Sequence, residues 1–394
     1  MISEKMLAMA KGGSAIRAMF EEGNRMAALY GRENVYDYSL GNPNFPAPKA
    51  LNDAIHHIID TESDTVHCYM PNAGYPDVRM AVAENLNKRF GTAFTDANII
   101  MTVGAGGSLN VIFKTILNPG DEVLTIAPYF LEYGNYVRNY DGVLTTVNAD
   151  PVTFQPDAEA LRAAITPKTK ALLINTPNNP TGVIYTEESI RAMAKVLEEK
   201  SAEYGHPICL ISDEPYRELA YDGAVVPWLT KYYKNTVVCY SWSKSLSLPG
   251  ERIGYLCIPS ECDGFQMLFD AAVVANRILG YVNAPSLIQR AVAKVLDEKT
   301  DIAGYDGNRQ LLYNGLKDCG FESVYPDGAF YLWMKVPGGD DKAFAAAAKK
   351  YNLLIVPGSS FACGGYVRLA YCVSPDMIRR SLPAFKKLAE EYGL

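Results

Sequence analysis

The sequence predicts an α/β fold: a mainly parallel sheet covered by helices on both faces, accompanied by a smaller α+β unit. Two observations carry this reading. Through the middle of the 394-residue chain, short and near-continuous apolar runs alternate with helical stretches, the pattern of parallel strands buried on both sides. Towards the C-terminus the pattern changes to an aromatic strand, an Ala-rich helix, two short strands and a last helix. At about 150 residues per domain, the length suggests two or three domains. The expected division is an N-terminal arm with part of the small unit over 1–50, a large unit over 51–300, and a small C-terminal unit over 301–394.

The elements follow in order. Ile99 to Val103 is the first strand of the large unit. A loop of small residues, Gly104-Ala105-Gly106-Gly107, leads from it to a helix from about Ser108 to Leu117, which stops at Asn118-Pro119-Gly120. Glu122 to Ala127, Lys170 to Asn175, Ile208 to Ser212, Thr236 to Ser241 and Arg252 to Ile258 are further strands. Between two of them Thr186 is placed as an N-cap, with Glu187 and Glu188 complementing the positive helix start. Ile190, Met193, Ala194 and Leu197 then fall on one helical face. In the small unit the strand AFYLWMKV closes at Lys335 and Val336, and a helix covers Asp340 to Tyr351. LLIVPG and YVRLAYC are short strands, and the final helix from Pro375 is expected to be kinked or interrupted at Pro383.

Composition excludes several function classes. Hydrophobic residues at 48% and charged residues at 21% are ordinary for a globular chain. Thirty-seven Lys and Arg against 44 Asp and Glu give a net charge of −7, which disfavours a nucleic-acid partner while allowing a local site for a small anion. The opening MISEKMLAMAKGG has no apolar core of signal-peptide length, and no apolar run is long enough to span a membrane. The eight cysteines are scattered without a CxxC pair, which fits a reduced, cytoplasmic setting. The four histidines show no metal-ligand spacing, so no metal is expected.

Ligands of such sheets collect at the carboxyl ends of strands, and polar residues gather there. Ile208 to Ser212 runs into Asp213-Glu214-Pro215-Tyr216. An aspartate at the end of a buried strand needs a cation or several donors, although an N-cap or Asx turn also accounts for it. Thr236 to Ser241 runs into Trp242-Ser243-Lys244, with Arg252 eight residues further on. A lysine there can be desolvated, which lowers its pKa and frees a nucleophilic amine; alone it is more often a solvated loop residue. Asn175 to Gly182, with two prolines, is a turn stiff enough to place an amide side chain. The glycine stretch 104–107 could hold a phosphate, but a dinucleotide fingerprint would need glycine where Leu109 stands.

Taken together, NNPTG, DEPY, SWSK with its arginine eight residues later, and YVRLAYC resemble the class I/II aminotransferases of the fold type I pyridoxal phosphate enzymes. The resemblance covers nearly the whole chain from Ser39-Leu40-Gly41-Asn42-Pro43. It implies a three-layer large domain that binds pyridoxal 5′-phosphate. Lys244 would form the Schiff base with the cofactor, Asp213 would face the pyridine nitrogen, and Tyr216 and Asn179 would bond the phenolic oxygen. Ser241, Arg252 and the backbone of Ala105, Gly106 and Gly107 would cradle the phosphate. Phe130 stands where an aromatic ring stacks on the pyridine, a position often Trp or Tyr in the family. Tyr69 would reach the phosphate in the neighbouring subunit of a homodimer. Arg368 would clamp the substrate α-carboxylate, Gly41 would approach the substrate, and Arg277 is a candidate for a distal carboxylate.

The activity so implied is transfer of an amino group between an amino acid, such as aspartate, and a 2-oxo acid such as 2-oxoglutarate. A carbon–sulfur lyase or another lyase of the same fold is the alternative. A regulator that binds the cofactor is the alternative from another class.

Overall fold

The computed structural model describes residues 1–12 and 15–394. Its centre is a seven-stranded sheet in the order Ile99–Thr102, Gly254–Cys257, Thr236–Ser241, Cys209–Asp213, Thr169–Asn175, Glu122–Ala127, Val143–Asn148. The last five run parallel to one another. Gly254–Cys257 is antiparallel to both of its neighbours. The central strands are buried on both faces, as their unbroken apolar runs require. Leu172 and Leu210 point to one side, where Ile190, Met193, Ala194 and Leu197 of the helix Glu187–Tyr204 cover them. Leu173, Ile211 and Val237 point to the other, against Leu109, Val111 and Ile112 of the helix Gly104–Ile116. Thr186 caps the first of these helices by accepting from the Ser189 N–H.

A four-stranded antiparallel sheet follows in the order Val356–Pro357, Tyr366–Ala370, Tyr331–Lys335, Ser323–Val324. The N-terminal segment joins this end of the chain, because Tyr36–Asp37 pairs in parallel with Leu353–Leu354.

Three expectations need correction. Gly104 to Gly107 is not a loop before the helix but its first turn. The start of that helix lies directly on the sheet: a Cβ at Gly254 would stand 2.2 Å from the Tyr240 carbonyl oxygen and 2.9 Å from Gly104 Cα. The edge strand Val143–Asn148 was not anticipated, since its half-exposed, polar sequence lacks the apolar run of the buried strands. Finally, the helix Pro375–Glu391 continues through Pro383 without interruption. Pro383 is exposed, on the solvent side where water can take over a backbone hydrogen bond that proline cannot make.

Directly after the strand ending at Asp213, the fold buries an ion pair. Glu214 and Arg217 bond each other with side chains 0% and 3% exposed. Arg217 also donates to the carbonyls of Val226 and Pro227 and stacks over the Phe90 and Trp228 rings. Glu214 accepts from Ser212 Oγ at 2.7 Å. Removing the acid leaves a buried guanidinium without its partner. Glu214→Ala is therefore expected to lower the unfolding free energy by about 3–5 kcal/mol, read as a lower midpoint in urea denaturation.

Candidate active site

The parallel strands end in register, so Asn175, Asp213 and Cys239 lie side by side. Beyond their carboxyl ends opens a cavity of about 570 Å³, within the range of small-molecule sites. Gly41, Ala105, Gly106, Phe130, Asn179, Asp213, Tyr216, Ser241, Lys244, Arg252 and Arg368 all line it. Residues scattered over most of the sequence are thus brought to one place by strand order.

Asp213 is 5% exposed. Its Oδ2 accepts from the Tyr133 hydroxyl at 2.5 Å, while Oδ1 is buried without any partner. Burial pushes its carboxyl up to about 7, with the Tyr133 hydrogen bond pulling down and the Glu214 charge pushing up. Asn175 holds this strand end, donating to the Asp213 carbonyl at 2.8 Å and accepting from the Asn179 N–H at 2.7 Å. Asn178 closes the following turn by accepting from the Thr181 N–H and hydroxyl. That fixes Asn179.

Lys244 sits on a single helical turn, Trp242–Ser245, capped by the Ser241 hydroxyl. Its Nζ donates to the Gly41 carbonyl at 2.8 Å and lies 5.3 Å from the Phe330 ring centroid. Burial holds the ammonium down to about 8; nearby Arg252 and Arg368 push the same way, against Cys372. A neutral amine is therefore available near neutral pH.

Arg368 is 2% exposed. Nη1 donates to Asn179 Oδ1 at 3.0 Å and Nη2 to the Ser39 carbonyl at 2.5 Å. The guanidinium lies over the Tyr331 and Phe361 rings, and its Nε has no partner. Arg252 adopts a left-handed backbone with φ 51° and anchors Nη1 on the Pro249 carbonyl at 3.0 Å. A Cβ at Gly104 would approach Arg252 Nη2 to 3.0 Å, so guanidinium and helix start share one corner. Ser241 and Ser243 place bonded hydroxyls in the same wall.

Three expected residues are placed elsewhere. Gly107 does not line the cavity; it faces Val103, whose Cγ2 a Cβ there would meet at 2.6 Å. Tyr69 is 93% exposed and lines a separate cleft with Tyr281, Val282 and Asn283. Arg277 is exposed near the end of the helix Phe265–Ile278. Sequence reasoning passed over Tyr133, Tyr136, Asn175 and Tyr331, which line the cavity too. Tyr133 lay three residues from Phe130, inside the stretch already singled out, but nothing local aims its hydroxyl at Asp213.

The donor set fits pyridoxal phosphate. An unpartnered carboxylate oxygen suits a pyridinium N–H, a desolvated amine suits an aldehyde, and a helix start beside a guanidinium suits a phosphate. The comparisons agree. Residues 33–385 match the family described as aminotransferase class I and II. An aminotransferase structure from Eubacterium rectale superposes with a TM-score of 0.97 and is 46% identical, covering 100% of this chain and 99% of that one. The aspartate/prephenate aminotransferase of Thermus thermophilus is 34% identical over 89% of this chain and 90% of its own. A Thermus thermophilus aspartate aminotransferase structure with maleate gives a TM-score of 0.86 at 30% identity, covering 98% of this chain and 99% of that one. The chain belongs to the class I and II aminotransferases, enzymes of the pyridoxal phosphate fold type I that move amino groups between amino acids and 2-oxo acids.

Proposed function

We propose that Lys244 and Asp213 are the catalytic pair of this aminotransferase, with aspartate or another amino acid as donor and 2-oxoglutarate as acceptor. The observation that carries the assignment is the pairing of a desolvated amine with a half-unpartnered carboxylate on one cavity. Pyridoxal phosphate, when bound, supplies an electron sink for the pair left as the substrate Cα–H bond breaks. Asp213 Oδ1, buried without a partner, would accept from the ring nitrogen and keep it protonated. Lys244 Nζ would hold the cofactor covalently and, once freed by the substrate amine, would serve as the base for the substrate Cα proton. Tyr216 and Asn179, on the same cavity wall, would stabilise the phenolic oxygen. Ser241, Arg252 and the start of the helix at Ala105 and Gly106 would hold the phosphate, and Phe130 would cover the ring; Gly107, turned towards Val103, is left out of this cradle. Arg368, buried and already aimed by Asn179 and Ser39, receives the α-carboxylate beside Gly41.

The aspartate part of this reading rests on the names of the relatives. Arg277 does not line the cavity of its own chain. Its helix end adjoins the Tyr69 segment, since Asn276 donates to the Asn72 carbonyl and Asn283 to the Pro71 carbonyl. Around them Tyr69, Val274, Ile278 and Val282 leave apolar surface exposed. We take this rim as the contact of a homodimer that carries Tyr69, and Arg277 with it, to the neighbouring cavity. The same reading divides the chain into an arm over 1–50, a large domain over 51–300 and a small domain over 301–394. Eight unpaired cysteines support a cytoplasmic setting. Among the described residues no helix is long and apolar enough to cross a membrane.

Product analysis with aspartate tests the activity: oxaloacetate should accumulate catalytically only when 2-oxoglutarate is present, and release of product without acceptor would favour the lyase. Lys244→Ala should lose at least about a thousandfold in turnover and fail to trap the cofactor with borohydride.

Asp213 makes a separate, signed statement about stability. Its carboxyl is raised in the fold to about 7, so the unfolded chain, titrating near 4, loses this proton first as pH rises. The cofactor-free protein should lose stability from about pH 4 up to about pH 7, by an amount on the order of 4 kcal/mol, and regain it on acidification. Asp213→Asn should flatten that slope in denaturant melts of the cofactor-free protein while crippling transamination.

The homodimer gives a complementation experiment. Mixed and refolded Lys244→Ala and Tyr69→Ala chains should recover up to about a quarter of wild-type activity, since half the sites in each hybrid are intact. Activity no greater than the sum of the two parents would place Tyr69 outside the partner's site.

A further inference from the structure

Among the cavity residues given no role above is Tyr331. Tyr331 lies on the strand Tyr331–Lys335, whose neighbour Tyr366–Ala370 carries Arg368 opposite Trp333. Tyr331 and Trp333 are two apart and share a face, so Tyr331 is the diagonal neighbour of Arg368. Its ring centroid is 4.5 Å from the Arg368 guanidinium carbon. Its hydroxyl is 2.9 Å from the Tyr216 hydroxyl, and both rings are nearly fully buried. A Cβ at Gly41 would stand 2.0 Å from the Tyr331 hydroxyl oxygen. The segment at Gly41, itself bonded to Lys244, is therefore moulded against this phenol.

We propose that Tyr331 is a positioning residue that joins the two halves of the site, its hydroxyl steering Tyr216 and its ring steering Arg368. The inference rests on the roles given above to Tyr216 and Arg368. Hydrogen-bond accounting fixes the direction. A phenol has one proton. If Tyr216 donates that proton to the cofactor's phenolic oxygen, its bond with Tyr331 requires Tyr331 to be the donor. A donor behind Tyr216 polarises it and strengthens the bond it makes in front. The ring contributes differently. It covers one face of the guanidinium, holds its plane and excludes water from it, while Asn179 and Ser39 fix its edge.

The two contributions separate by substitution. Tyr331→Phe keeps the ring and removes the proton. It should raise the pH midpoint of the bound cofactor's visible absorbance by on the order of half a unit. The affinity for a non-reacting dicarboxylate, maleate, should stay within about twofold of wild type. Tyr331→Leu removes both and should show the same absorbance shift together with about a tenfold weaker maleate Kd. Circular dichroism and melting of each variant report whether the fold is kept, and Trp333→Phe, on the same strand face, serves as the comparison for a merely structural loss.

The outcomes are distinct. A Tyr331→Phe midpoint equal to wild type overturns the steering of Tyr216. A Tyr331→Leu variant that binds maleate as wild type does overturns the steering of Arg368. A wild-type protein that shows no pH-dependent visible absorbance with added cofactor overturns the underlying assignment instead.

Discussion

The site depends on a buried carboxylate that the fold leaves half satisfied. Asp213 ends a strand in the middle of the sheet, where water cannot solvate it. Tyr133 engages one oxygen and nothing engages the other. Such a group is tolerated only if the surroundings are rigid and a cation eventually faces it. The rigidity is visible on each side: Asn175 grips the Asp213 carbonyl from the next strand, and Glu214 with Arg217 locks the chain immediately beyond. Glu214 is the better-buried acid of the two, yet it is fully paired. The contrast between adjacent carboxylates fits a structural role for Glu214 and the role proposed for Asp213.

The positive groups are arranged by the same logic. Lys244, Arg252 and Arg368 share one cavity in a chain that is acidic overall. Two are guanidinium groups, which stay charged under burial and suit fixed anions; the third is an amine, whose proton is easily displaced. Repulsion from the two arginines helps to lower the lysine. Thus the groups that would hold phosphate and carboxylate also tune the nucleophile between them, and charge removal at either arginine alters Lys244 even without contact.

Much of this was legible in the sequence, because strand-end residues keep their order in the chain. Asp213 and Lys244 follow apolar runs, and Arg252 precedes one, whose boundaries shift by only a residue or two in the fold. Less legible were contacts that depend on where distant elements dock. Tyr133 is one turn from Phe130, and its aim at Asp213 exists only once its helix rests on the sheet. Tyr331 shares a face with Trp333 in a strand where every residue but Lys335 is buried, so pattern alone could not tell a cavity wall from a core. Glycine is ambiguous for a similar reason: the run at 104–107 reads as a loop by composition, but forms a helix start pressed against Gly254.

The segment around Gly41 shows why such a site cannot assemble from local sequence. Ser39 accepts from Arg368 and Gly41 accepts from Lys244, both through backbone carbonyls. Neither bond depends on a side chain of the segment, so its own residues carry little record of them. What the sequence does record is the steric consequence, a glycine where any Cβ would strike Tyr331. The N-terminal segment, the sheet and the later antiparallel strands meet at these carbonyls, over sequence separations of 203 and 329 residues. Contacts so distant close late and cooperatively. A competent site therefore forms only when both sheets are in place, and a change that loosens their docking weakens Lys244 and Arg368 together.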